Sequence, residues 1–219
     1  MTSLKLPFSL ACERNKYFIL AEFQRYLTQI NTHAPLQLLE VGSGSGQHAI
    51  HMVRHLVGIH WQPSEINTNL EGLNQRIQLE GQQGLAKNSR IATPIALDVS
   101  TSKWPAGPFE LAFSANTTHI MPASAVPLLL AGVTAVLSPA GLFFLYGPFH
   151  YNGHHIAPSN AGFDADLKAR DPAMGLRDAV QLVNMAAKMG LDLIEDRPMP
   201  ANNRMLVFRR AATAKQSDF

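Results

Sequence analysis

Short runs of apolar residues alternate along this chain with stretches whose apolar positions recur every three to four residues. The first pattern predicts buried strands and the second amphipathic helices. In order, the chain reads as a helix over 16–30, a strand over 36–41, a helix over 47–56, a strand over 59–62 and a helix over 68–82. Strands follow over 95–98 and 109–114, then a helix over 123–137 that Ser138-Pro139-Ala140-Gly141 is expected to stop. A strand over 142–146, a long polar loop over 147–160, a helix over 176–189 and strands over 191–196 and 204–209 complete the chain. The alternation predicts an α/β fold with a mostly parallel sheet covered on both faces. The connector 197–203 is too short for a crossover helix, so the last two strands are expected to pair as an antiparallel hairpin. No repeat or low-complexity linker divides the chain, and residues 1–219 read as a single domain with an N-terminal segment of about 1–30 ahead of the first strand.

Chemistry enters at the end of the first strand, in Glu40-Val41-Gly42-Ser43-Gly44-Ser45-Gly46-Gln47. Three glycines spaced two apart allow left-handed backbone and let a ligand approach with no Cβ in the way. The helix that follows turns its open amides and the positive end of its dipole toward that ligand. The dinucleotide fingerprint wants glycine at its sixth position, where Gln47 stands. E-x-G-x-G-x-G at a strand end instead resembles the cofactor loop of S-adenosylmethionine (SAM) methyltransferases. Glu40, Gly42, Ser43, Gly44 and Gln47 are therefore candidate cofactor contacts.

Composition narrows the setting. Residues are 46% hydrophobic and 16% charged, and the net charge of +2 comes without a Lys/Arg cluster, so nothing argues for nucleic acid. Cys12 is the lone cysteine, which excludes an internal disulfide. No apolar run is long enough to span a bilayer and none has signal-peptide form, so the expectation is a cytoplasmic protein acting on a small molecule, with its oligomeric state left open. His154-His155 invites a metal reading, but adjacent side chains point apart and no third ligand is evident, so no metal is expected.

In open α/β sheets ligands lie beyond the carboxyl ends of the strands. Glu65, about twenty residues past the glycine loop, suits a ribose diol or a helix N-terminus. Asp98-Val99 suits an adenine amino group or a turn. Asn116 is expected beside the sulfonium, and His119, about one helical turn on, near the transferable methyl as a base of ordinary imidazole pKa. His150 is a second base candidate and a substrate contact, and Tyr146 is placed to orient a substrate. Asn202-Asn203 suits a turn or a substrate contact. In the charged segment Cys12-Glu13-Arg14-Asn15-Lys16, the Arg14 fork could hold a methionine carboxylate and Asn15 the same end, as a lid over the cofactor.

Ala11 to Lys16, Trp61-Gln62-Pro63-Ser64, Leu97-Asp98-Val99, Ala115-Asn116, Leu145 to Phe149, Ser159-Asn160-Ala161, Arg170-Asp171-Pro172, Gly175-Leu176-Arg177-Asp178 and Met199 to Asn203 resemble, block by block, the methyltransferase-like protein 26 family. The resemblance covers about 7–209 and implies a seven-stranded Rossmann-like class I methyltransferase fold and SAM-dependent activity on an unidentified acceptor. Family members often have Ala-Ser-Gly-Thr-Gly in the loop and Asp where Glu65 stands. Two alternatives share parts of the pattern. One is a SAM-binding protein without turnover. The other is a nicotinamide oxidoreductase, against which Gln47 and the terminal hairpin argue.

Overall fold

In a computed structural model, residues 6–30, 34–101 and 103–212 are described. They fall into two compact units, one ending at Asp98 and the other starting at Val99.

The first unit begins with α1 (Leu10–Leu27), which starts six residues earlier than the pattern predicts because Ser9 caps it, accepting from Cys12 N at 3.3 Å. Its Ile19, Phe23 and Tyr26 are buried at helical spacing, and the Phe23 ring lies 6.1 Å from Trp61. β1 (Leu36–Val41) runs parallel to β2 (Ile59–Glu65), with Leu36 opposite Ile59 and Val41 opposite Ser64. Leu38, Leu39, Glu40 and Val41 are all buried, as expected of a strand covered on both faces. α2 (Gln47–His55) connects β1 to β2, and α3 (Asn67–Glu80) follows β2. β3 (Arg90–Ile91) and β4 (Ile95–Ala96) both lie parallel to β2, at Trp61 and at Glu65, and act as one broken strand. The break falls at Thr93-Pro94, where proline removes a ladder donor.

The second unit opens with β5 (Phe109–Ala115), followed by α4 (Ala125–Val136) and β6 (Leu137–Gly147), parallel to β5. Gly132 on α4 leaves room for the Trp104 indole, which any Cβ there would overlap. Ser138 to Gly141 was expected as a loop after the helix. It is instead the bulged start of β6: Phe109 faces Leu137 but Leu111 already faces Leu142, and Ala140 takes a positive φ of 62°. The expected polar loop after β6 is also structured. It holds β7 (Phe149–Tyr151) and β8 (His154–His155), an antiparallel pair, then α5 (Pro158–Arg170). β9 (Arg177–Asp178) joins β7 in parallel, and its Asp178 caps α6 (Ala179–Lys188) by accepting from Val180 N and Gln181 N. β10 (Leu191–Met199) and β11 (Asn203–Arg210) form the expected antiparallel hairpin, and β11 is antiparallel to β6. The fold is thus α/β, mainly parallel, with an antiparallel C-terminal part. Among the described residues, no helix is long and apolar enough to cross a membrane.

Of the N-terminal segment, residues 1–5 lie outside the described residues, and Leu10–Leu27 is an integral helix of its unit. Phe23 is fully buried, and Phe23→Ala is expected to cost about 3–5 kcal/mol, read as a lower urea midpoint with unchanged slope. A loss below about 1 kcal/mol would show that α1 does not pack as described.

Candidate functional site

The loop after β1 is built around a buried carboxyl. Glu40 is 1% exposed, and its Oε2 accepts from Ser43 Oγ at 2.7 Å and from Trp61 Nε1 at 2.8 Å. Its main-chain oxygen accepts from Ser64 Oγ at 2.6 Å. Ser43 and Ser64 are doubly joined, Ser43 N donating to Ser64 O at 2.9 Å and Ser64 N donating to Ser43 Oγ at 3.1 Å. Burial pushes the Glu40 carboxyl up to about 7, against the two hydrogen bonds that favour its charged form and with the Glu65 charge adding to the rise. Glu40, expected as a cofactor contact, thus has its carboxyl engaged in holding the ends of β1 and β2 together.

Gly42, Gly44 and Gly46 all have positive φ, at 75°, 53° and 76°. The last two differ in use. A Cβ on Gly46 would come 2.8 Å from Leu73 Cδ1, so this glycine lets α3 pack closely. A Cβ on Gly44 would meet nothing within 4 Å. Its amide donates to Glu65 Oε2 at 2.6 Å, and Glu65 Oε1 accepts from Ile66 N at 2.9 Å. A carboxylate carries about four lone-pair sites, so Glu65 retains acceptor capacity. Bare backbone beside open space, with a carboxylate fixed next to it at a strand end, fits a cofactor that has a diol.

The charged N-terminal segment lies against this loop as the first turns of α1. Gln47 Oε1 accepts from Ser9 N at 2.6 Å and Ser45 Oγ at 2.8 Å, while its Nε2 donates to Glu13 at 2.6 Å. Asn15 Oδ1 is 2.7 Å from His48 Nε2. The side chains of Gln47 and Asn15 thus join α1 to α2, and Arg14 is exposed. These bonds and the buried Ile19, Phe23 and Tyr26 make the segment part of the packing of its unit. Asp98 and Val99 are half-buried and follow Leu97, whose amide donates to Glu65 O at 2.9 Å.

In the second unit, Asn116 directly follows β5 with a positive φ of 58°, and its amide donates to Tyr146 O at 2.8 Å. His119 is 4% exposed, its Nδ1 has no hydrogen-bond partner among the described residues, and its ring meets Phe163 of α5 edge-on at 5.2 Å. Burial first, and then the Arg177 charge, push this imidazole down to about 4. The expectation of an untuned base is corrected: His119 is neutral at pH 7 and a weak base. Tyr146 is 2% exposed, within the sheet opposite Ala115 and Met205.

His150 Nδ1 lies 3.2 Å from Asp178 Oδ2, without hydrogen-bonding geometry, and its ring is 5.5 Å from that of His155. His155 Nε2 is 3.3 Å from Asp164 Oδ2. Among the described residues, no group of three or more His, Cys, Asp or Glu side chains is placed to hold a metal. Asn203 Nδ2 donates to Pro200 O at 3.0 Å, a turn bond. Asn202 is exposed and bound to the start of α5, Nδ2 donating to Ser159 Oγ at 3.1 Å and its carbonyl accepting from Asn160 at 3.0 Å.

Sequence reasoning overlooked Arg177, Phe163 and Asp164. Arg177 donates to Thr118 O at 2.9 Å and Met121 O at 2.5 Å, clamping the segment that carries His119. Gly175 N donates to His119 O at 3.0 Å. The signal for Arg177 is the block Gly175-Leu176-Arg177-Asp178, in which the arginine sits between a glycine turn and a helix cap.

The family described as "Protein of unknown function (DUF938)" matches residues 6–210. Among solved structures, the S-adenosylmethionine-dependent methyltransferase SibL in its apo form is similar with a TM-score of 0.71 at 17% identity, over 91% of this chain and 55% of that one. An O-methyltransferase family protein from Burkholderia thailandensis gives 0.71 at 12%, over 92% and 60%. Human N-acetylserotonin methyltransferase in complex with SAM gives 0.66 at 12%, over 92% and 58%. At these identities the likeness is one of fold, and this chain spans 55–60% of the length of those proteins.

The buried carboxyl predicts a pH effect. Folded Glu40 keeps its proton up to about pH 7, whereas the unfolded chain releases it near 4.5. The native state binds more protons across that window, so the Glu40 contribution to stability falls as pH rises through it. His48, His51 and His119, each lowered to about 4, run the other way: their contribution is present above 6.5 and lost as pH falls toward 4. Comparing Glu40→Gln with the natural chain isolates the first effect. In urea unfolding, the stability of Glu40→Gln relative to the natural chain is expected to rise between about pH 5 and about pH 8. A constant difference would contradict the raised carboxyl.

Proposed function

The chain belongs to the DUF938 family, and on that premise we propose that it is a SAM-dependent methyltransferase acting on a small-molecule acceptor. The finer family reading we propose is methyltransferase-like protein 26, working in the cytoplasm. The observation that carries the activity is the Gly44 amide fixed on Glu65 beside open space. In this reading the backbone of Gly42, Ser43 and Gly44 takes the methionine end, Glu65 accepts from the ribose hydroxyls, and Asp98 with Val99 takes the adenine. When bound, SAM supplies a methyl group made electrophilic by its sulfonium.

Such chemistry gains most from alignment of the reacting groups. Asn116 and His119 are proposed to position the acceptor in the second unit, with Tyr146 supporting them from within the sheet. A neutral imidazole can orient an acceptor by hydrogen bonding. With its pKa near 4 it is a poor proton acceptor at pH 7, and this favours a second reading, a SAM-binding protein without turnover. Release of S-adenosylhomocysteine from a metabolite mixture separates the two.

Glu65 would make two charge-assisted hydrogen bonds to a diol. Calorimetry is expected to show that Glu65→Ala weakens SAM binding by roughly 2–4 kcal/mol. Equal affinity in a folded variant would remove Glu65 from the cofactor site.

A further inference from the structure

We propose that Asn116, His119 and Gly147 form a niche for a hydroxyl group on an uncharged acceptor, with Phe163 against the body that carries it. This deepens the methyltransferase reading by naming the acceptor class.

Gly147 ends β6. An ideal Cβ built on it would lie 3.7 Å from Asn116 Oδ1 and 3.8 Å from His119 Nδ1. Two polar atoms from the segment after β5 therefore converge on the space that a side chain at 147 would fill. The imidazole is 4% exposed and its Nδ1 is without a partner among the described residues. A buried polar atom left unpaired carries its full desolvation penalty, so a ligand that pairs it recovers that cost on binding.

The chemistry of the pair selects the group. A hydroxyl has one donor and two acceptor lone pairs. It can accept from an Nδ1–H while donating to Asn116 Oδ1, or donate to a bare Nδ1, so it suits either tautomer of His119. An anion would face the Asn116 oxygen. A cation would meet the same positive charge of Arg177 that opposes protonation of His119. Phe163, 36% exposed and edge-on to the imidazole, offers an apolar surface to the rest of the molecule.

Phenol is the probe, with anisole as a ring of similar shape that lacks the O–H. The full chain is labelled with ¹⁵N in its nine histidines, and His119 is assigned by its loss in His119→Gln. Phenol is expected to move the His119 Nδ1 resonance saturably, and anisole to bind roughly tenfold more weakly. Gly147→Ala adds a methyl at ordinary van der Waals distance, so the fold tolerates it while the niche is filled, and the phenol response is lost. Asn116→Gly keeps the left-handed backbone, removes the oxygen and weakens phenol in the same direction. The niche holds only water, and the proposal falls, if phenol leaves His119 unmoved, if anisole moves it equally, or if both variants respond like the natural chain. SAM is absent from this titration. Failure of SAM binding would overturn the methyltransferase reading alone, and failure of the phenol response the niche alone.

Discussion

The carboxyl of Glu40 sits almost without water between the ends of β1 and β2, and the glycine loop is arranged around it. A buried acid is stabilised in its neutral form unless donors compensate. Here Ser43 Oγ and Trp61 Nε1 both donate to it, yet burial still dominates and holds its proton up to about pH 7. Ser43 is thereby fixed between Glu40 and Ser64, which sets the backbone on which Gly44 presents its amide to Glu65. Losing one donor would leave a buried acceptor unpaired, a larger penalty than the net worth of the bond. The loop geometry thus follows from the chemistry of one acid.

The same economy of means recurs within each unit. Gln47, first residue of α2, accepts from Ser9 and Ser45 and donates to Glu13, so one amide joins the cap of α1 to the loop. In the second unit Arg177 does the equivalent for the segment 118–121, holding two of its carbonyls. Asp164 on α5 accepts from Leu176 N and Lys168 Nζ, which anchors the helix that carries Phe163. Apart from the Asp164–Lys168 and Ser45–Gln47 pairs, these are tertiary bonds that link distant parts of the sequence within each unit.

That pattern explains what could be read from the sequence. β1, β5 and β11 were legible because apolar residues dominate them, β2 because Ile59 and Trp61 alternate with His60 and Gln62, and the terminal hairpin because its connector is short and carries proline and asparagine. α5 was not, because its buried face is Asn160, Asp164 and Leu167, two polar residues and one apolar, and helical periodicity in hydrophobicity is therefore missing. The bulge at the start of β6 looked like a helix stop because proline and glycine mark both. The glycine loop and Glu65 were legible as a pair from spacing. The depressed pKa of His119 was not, since it comes from burial, with Phe163 against the ring, and from the charge of Arg177, residues 44 and 58 positions away. Asn15 and Gln47 looked like ligand contacts because amides serve equally well in tertiary bonds, and spacing does not distinguish the two.

The central claim is that the open backbone at Gly44 and the carboxylate of Glu65 serve a SAM cofactor. Ligand that binds only the folded state raises the unfolding temperature in proportion to the logarithm of its excess over Kd. The most direct measurement is thermal unfolding of the full chain with increasing SAM, S-adenosylhomocysteine or NAD. The account predicts a midpoint that climbs steadily with SAM and with S-adenosylhomocysteine and stays fixed with NAD. A midpoint indifferent to SAM up to about a hundredfold excess over a micromolar Kd, or one that rises with NAD instead, would contradict it.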